Sequence, residues 1–265
     1  MRHAKFIAGA VSALALLVVS QTAALAETIK FGVTAGPHAQ IAEALVPVAK
    51  AKGLDIKLVE FSDGSLIDPA TNDGDLDANG FQHTPYLDQQ NRDRGLKLVA
   101  VGGKTVLLPM AGYSKKYKSL ADLPEGAQVT IPNDPSNGGR ALKLLEAGGL
   151  IKLTPGITYK ATELDIIENP KKIKLIPMET AQLPRSLEDV DFSVITSHFA
   201  LSAGLNPKKD GILIEDQLSE YFCLIAVADK NKDAPWVKTL IESYKSPEVK
   251  AAIEKTFSGN VIAGW

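Results

Sequence analysis

Hydrophobic and polar residues alternate from Thr28 to Val33, so that Ile29, Phe31 and Val33 share one face of a predicted strand. Gly36-Pro37 interrupts the alternation; Ile41, Leu45 and Val48 then recur at helical spacing, with Pro37 suited to a first turn and Gly53 to a stop. Asp55–Phe61 is the next predicted strand. Strand, helix and strand in that order make a βαβ unit, which implies a parallel sheet because parallel neighbours need a long crossover. The pattern continues with a helix after Pro85 ending near Gly95 and strands at Lys97–Val101 and Leu107–Tyr113. A second register follows: strands at Val129–Ile131, Lys172–Met178 and Phe192–Thr196, a helix over Asn137–Ala147, and short helices around Leu183–Leu187 and Phe199–Ala203. Tyr221–Ala228 is strongly strand-like and leads into two amphipathic helices, one carrying Trp236, Leu240 and Tyr244, the other Val249, Ile253 and Phe257.

The class is α/β, with no internal repeat, low-complexity block or long linker. If there are two lobes they are therefore not joined like beads. A discontinuous first lobe fits better, over 27–110 and 222–265, with a second lobe over 111–221: the chain leaves near Met110 and returns near Phe222.

Composition changes the picture at the amino terminus. Arg2 and Lys5 precede an apolar run from Phe6 to Val19, shorter than the roughly 20 residues a spanning helix needs. Ala24-Leu25-Ala26 then supplies small residues at alternate positions, so 1–26 reads as a cleavable secretory signal. Its loss removes two bases and no acid, moving the formal charge from -2 to about -4, which disfavours nucleic-acid partners. The sole cysteine, Cys223, lies far from the cleavage point; no intramolecular disulfide can form, and no lipid anchor is expected there. An exported, periplasmic monomer is expected.

Two segments could carry ligand chemistry. Pro132 through Arg140, with Gly138-Gly139, lies between a predicted strand and helix, where free N–H groups favour an anion. Arg140 in a first helical turn would oppose the helix dipole by about 0.3–1 kcal/mol unless an anion relieves it. A ligand carboxylate would do so through two parallel hydrogen bonds, and a neighbouring Asp or Glu would do so equally. Phe81-Gln82-His83-Thr84-Pro85-Tyr86 groups two aromatic rings and an imidazole beside a helix start. These could cage a thioether, at about 0.3–1.5 kcal/mol per sulfur–ring contact, or simply pack in the core. Neither segment is a P-loop or a GxGxxG fingerprint.

These segments, with Asp73 through Gly80, Ala111 through Lys116 and Gln182 through Leu187, strongly resemble the MetQ/NlpA family of methionine-binding components of ABC importers. The likeness covers essentially the whole mature chain. It implies a type II-like two-lobed periplasmic-binding-protein fold with a hinge, no cofactor, no enzymatic activity, and a membrane permease and ATPase as partners. By the same resemblance, Phe81, His83 and Tyr86 would line a side-chain pocket, Arg140 would hold the ligand carboxylate, and Asn137 would support its loop. The chain departs from relatives at Gly64, where they commonly carry a pocket tyrosine, and at Thr196 and Cys223, where they carry ligand-binding asparagines. An asparagine amide both donates and accepts, whereas a thiol does either weakly. Leaving a buried ligand group unsatisfied costs about 1–3 kcal/mol, and Gly64 would vacate the volume of a phenol ring. The departures point to a divergent member whose ligand is larger than methionine or lacks its α-amino pattern; a short peptide is one such ligand.

Two rival functions remain open on residues alone. A metal-binding importer component would require His38, His83 and His198 to converge, without the help of any HxxH or paired-cysteine spacing. A periplasmic hydrolase could use Ser197 beside His198, although no G-x-S-x-G elbow is present.

Overall fold

The computed structural model describes residues 27–215 and 221–265, so the expected signal segment 1–26 lies outside it. The first alternating segment forms β1 (Glu27–Thr34), followed by α1 (Pro37–Ala51) and β2 (Leu54–Phe61). Strands β1 and β2 pair in parallel over their full length, as the βαβ pattern requires. Then come α2 (Ile67–Asp73), β3 (Ala78–Asn79), α3 (Thr84–Arg94) and β4 (Leu98–Val101). The strand expected over Leu107–Tyr113 is two, β5 (Val106–Leu107) and β6 (Ala111–Tyr113). Pro109 separates them; it has no N–H to continue a ladder, and here the chain passes from one sheet to another.

The middle of the chain contains β7 (Gln128–Pro132), α4 (Pro135–Ala147), β8 (Lys152–Leu153) and β9 (Ile166–Glu168). It continues through β10 (Lys174–Met178), α5 (Leu183–Ser186), β11 (Phe192–Ile195), α6 (Ser197–Ser202), α7 (Pro207–Asp210) and β12 (Leu213–Ile214). The chain ends in β13 (Ile225–Ala228), α8 (Pro235–Tyr244), α9 (Pro247–Phe257) and β14 (Ile262–Ala263). The strand expected from Tyr221 therefore starts only at Ile225. Upstream of it, Cys223 makes a lone antiparallel bridge with His83.

Two five-stranded sheets result, ordered β2-β1-β3-β13-β4 and β10-β7-β11-β6-β12. The first draws on both ends of the chain and the second on its middle, so the architecture is α/β with two lobes and a discontinuous first lobe. Each sheet is buried on both faces. In β13, Ile225 and Val227 join a core with Phe31, Leu45 and Leu240, while Leu224, Ala226 and Ala228 pack on the opposite face with Leu87. In the second lobe Phe192 and Val194 pack with Leu142 and Leu145 of α4, and Ile195 faces Tyr113 and Leu183. Among the described residues no helix is long and apolar enough to cross a membrane.

Helix α4 is seated by Gly139. A Cβ there would lie 2.0 Å from the Tyr159 carbonyl oxygen, a contact with backbone that cannot swing aside. Gly139→Ala is expected to lower unfolding free energy by about 1–3 kcal/mol in urea titrations, the cost typical of overpacking. A wild-type midpoint would show that the Tyr159 segment does not hold α4.

Candidate functional site

The sheets end facing each other. Thr34 closes β1, Asn133 follows β7 and Thr196 follows β11, so the carboxyl ends of parallel strands open onto one interlobe cleft, where α/β folds characteristically bind ligands. The cleft has a volume of about 760 Å³. Gly64, Phe81, His83, Tyr86, Asn137, Arg140, Thr196 and Cys223 all line it. Asn137, Arg140 and Thr196 come from the lobe built on the middle of the chain, and the others from the lobe built on its two ends.

His83 begins a polar relay between the lobes. As N-cap of α3 its Nδ1 accepts the Tyr86 N–H at 3.2 Å, so the ring proton is on Nε2, which lies 3.1 Å from Asn137 Oδ1 and donates to it. Asn137 in turn donates through Nδ2 to the Asp134 carboxylate, the N-cap of α4. Gln89 of α3 adds a second strut by accepting the Ser136 N–H at 3.1 Å. Burial lowers the His83 pKa to about 3, with Arg140 adding to the effect, so the relay holds a neutral imidazole.

The aromatic residues form a continuous wall. Phe81 and Tyr86 meet edge to face at 5.9 Å, His83 lies 6.3 Å from Tyr86 and 5.0 Å from Tyr221, and the Arg140 guanidinium sits 4.4 Å above the Tyr221 ring. Tyr221 carried no signal at the sequence level beyond its strand-like surroundings. Gly64 lies directly against Phe81: a Cβ there would meet the Phe81 ring at 3.1 Å. Thr196 and Cys223 are buried, and the Cys223 thiol, pushed up to about 12 by burial, faces the Phe81 carbonyl at 3.8 Å.

Arg140 requires a correction. It is the sixth residue of α4, past the first turn, and its side chain is only 5 % exposed. Its Nε donates to Glu215 Oε1 at 2.8 Å, and its Nη2 donates to Glu215 Oε2 at 2.5 Å and to the Leu108 carbonyl at 3.2 Å. The helix start is capped by Asp134, which accepts the Asn137 N–H at 2.9 Å. An internal carboxylate thus answers the cation and another answers the helix terminus. Sequence pattern could not locate Glu215, which is 75 residues away in an irregular segment.

His38 and His198 meet across the lobes with ring centroids 5.9 Å apart, both held neutral by burial, at about 4 and about 3. His83 makes its contacts elsewhere, and among the described residues no group of three or more His, Cys, Asp or Glu could hold a metal ion. Ser197 donates its hydroxyl to the Pro109 carbonyl rather than to an imidazole, so the Ser–His pair a hydrolase would need is not formed.

The sequence profile of the NlpA lipoprotein family matches residues 29–265. The D-methionine-binding lipoprotein MetQ of Salmonella typhi is 52% identical over 240 residues, 89% of this chain and 88% of its own length. A nutrient binding protein from Burkholderia cenocepacia, solved bound to methionine, superposes with a TM-score of 0.87 at 50% identity, covering 89% of this chain and 100% of its own. An ABC transporter, periplasmic substrate-binding protein from Coxiella burnetii superposes at 0.86 with 42% identity, covering 89% and 99%. The name lipoprotein borne by the first relative conflicts with the expectation of no lipid anchor, although the only cysteine of this sequence is Cys223.

Buried neutral histidines make stability pH-dependent. The unfolded chain protonates His38 below about pH 6.5 while the folded chain resists until about pH 4, so stability is lost as pH falls through that window. At about pH 5 this residue's share is on the order of 2 kcal/mol. His38→Gln is expected to flatten the urea-measured loss between about pH 7.5 and about pH 5 by that amount. Identical pH slopes in the two proteins would show that His38 titrates alike folded and unfolded.

Proposed function

The chain belongs to the NlpA lipoprotein family, and from that premise we propose that it is the exported substrate-binding component of an ABC importer, taking methionine or a closely related amino-acid-like ligand in the interlobe cleft. Substrate-binding relatives, one of them solved with methionine, support the reading, and nothing in their names points to catalysis.

The observation that carries it is the pairing of a buried guanidinium with an aromatic wall in one cleft. Phe81 and Tyr86 suit a thioether, through soft sulfur–ring contacts, and Arg140 suits the carboxylate. His83 and Asn137 hold the rings and the arginine in register across the lobes. Thr196 and Cys223 offer fewer strong hydrogen bonds than two amides would, which weakens the grip on the α-carbon substituents without removing it. The lobes divide at 110/111 and 221/222, and the connection near Leu108–Met110 acts as a hinge between them. Ligand shifts the population toward the closed form in proportion to its preference for that form, and a membrane permease with its ATPase reads the closed state. The protein works as a monomer.

Isothermal titration calorimetry on refolded, ligand-stripped protein should give saturable binding of methionine at one site per chain. Tyr86→Ala should weaken that binding by about tenfold or more, the loss expected for truncating a buried aromatic anchor. Absence of heat with both stereoisomers would contradict the assignment.

A further inference from the structure

Arg140 meets the cleft with one carboxylate already in hand. Glu215 takes Nε and one proton of Nη2, and the Leu108 carbonyl accepts from Nη2 as well. Nη1 has no hydrogen-bond partner among the described residues and is the nitrogen left for a ligand. Glu215 cannot easily swing away to release the others. Its Oε2 accepts the Met110 N–H at 3.0 Å, and its own N–H donates to the Met110 carbonyl at 2.9 Å.

The rest of the lining supplies no surplus cation. The lining's other cation, Arg94, is outnumbered by Asp63, Asp134 and Glu179, and the three histidines are uncharged. With the Arg140 charge cancelled, an entering monoanion would leave water for a cleft that offers it no net positive charge, and it would lie close to Glu215 across the same guanidinium. A zwitterion carries its own ammonium and escapes that penalty.

We propose that Glu215, lying behind Arg140 and outside the cleft lining, sets the charge class of the ligand: it makes the cleft select net-neutral amino-acid zwitterions against simple carboxylate anions of the same shape. The inference rests on the proposed amino-acid-binding function and adds a determinant to it. Selection for the α-amino group then follows from charge balance even where Thr196 and Cys223 replace amides.

The test compares methionine with its desamino analogue, methylthiobutanoate, by calorimetry on wild-type protein, Glu215→Gln and Glu215→Asp, with thermal unfolding as a check on integrity. Wild type should bind methionine at least about tenfold tighter than the analogue. Glu215→Gln should narrow that ratio about fivefold or more, because the acid's charge is gone, while Glu215→Asp keeps the ratio even if both affinities fall. A merely structural Glu215 would move the ratio alike in both variants, which would overturn the proposal. So would a wild-type protein that binds the two ligands equally, a result that stands even if Glu215→Gln fails to fold. Wild type binding neither ligand would instead overturn the proposed function, and this inference with it.

Discussion

The buried ion pair between Arg140 and Glu215 joins the parts of this molecule that must act together. Arg140 sits on α4 in the second lobe, yet its guanidinium also bonds the Leu108 carbonyl, and Glu215 holds both backbone groups of Met110. One interaction thus fastens α4 to the segment between β5 and β6 and to the end of β12. Such pairs are poor sources of net stability, because desolvation offsets most of the Coulomb gain; removing one partner nevertheless costs about 3–5 kcal/mol by stranding the other charge. Its value here is geometric, fixing where the one remaining guanidinium nitrogen points.

Around that pair the cleft is polar without being highly charged. Burial keeps His38, His83 and His198 neutral and lets His83 serve as a relay with a defined tautomer, accepting from Tyr86 and donating to Asn137. The same burial holds Cys223 as a thiol. Ring edges, uncharged polar groups and a compensated arginine form a surface suited to a small zwitterion with a soft apolar tail.

Much of the fold was legible because periodicity reports burial directly. Ile29, Phe31 and Val33 marked β1, and Trp236, Leu240 and Tyr244 marked the buried face of α8. Segments too short to show a period, such as β3, β8, β12 and β14, carried no such signal. Leu107–Tyr113 was expected as one strand because its residues are apolar throughout; Pro109 breaks the ladder and makes it two. The residues of the cleft were recognisable because Phe81 to Tyr86 and Asn137 to Arg140 sit in contiguous motifs. Glu215 and Tyr221 were not, because their roles arise only when distant loop positions meet α4. At Gly64 the residue type alone did not show which neighbour stands against it; in the structure it is the Phe81 ring.

Mass spectrometry of the small molecules released on denaturing protein purified from its native host reads the occupant of the cleft itself. The account predicts a single enriched species, a zwitterionic α-amino acid with a thioether or similarly soft apolar side chain, in near-stoichiometric amount. Stoichiometric release of a metal ion, a sugar or a ligand lacking a carboxylate would contradict it.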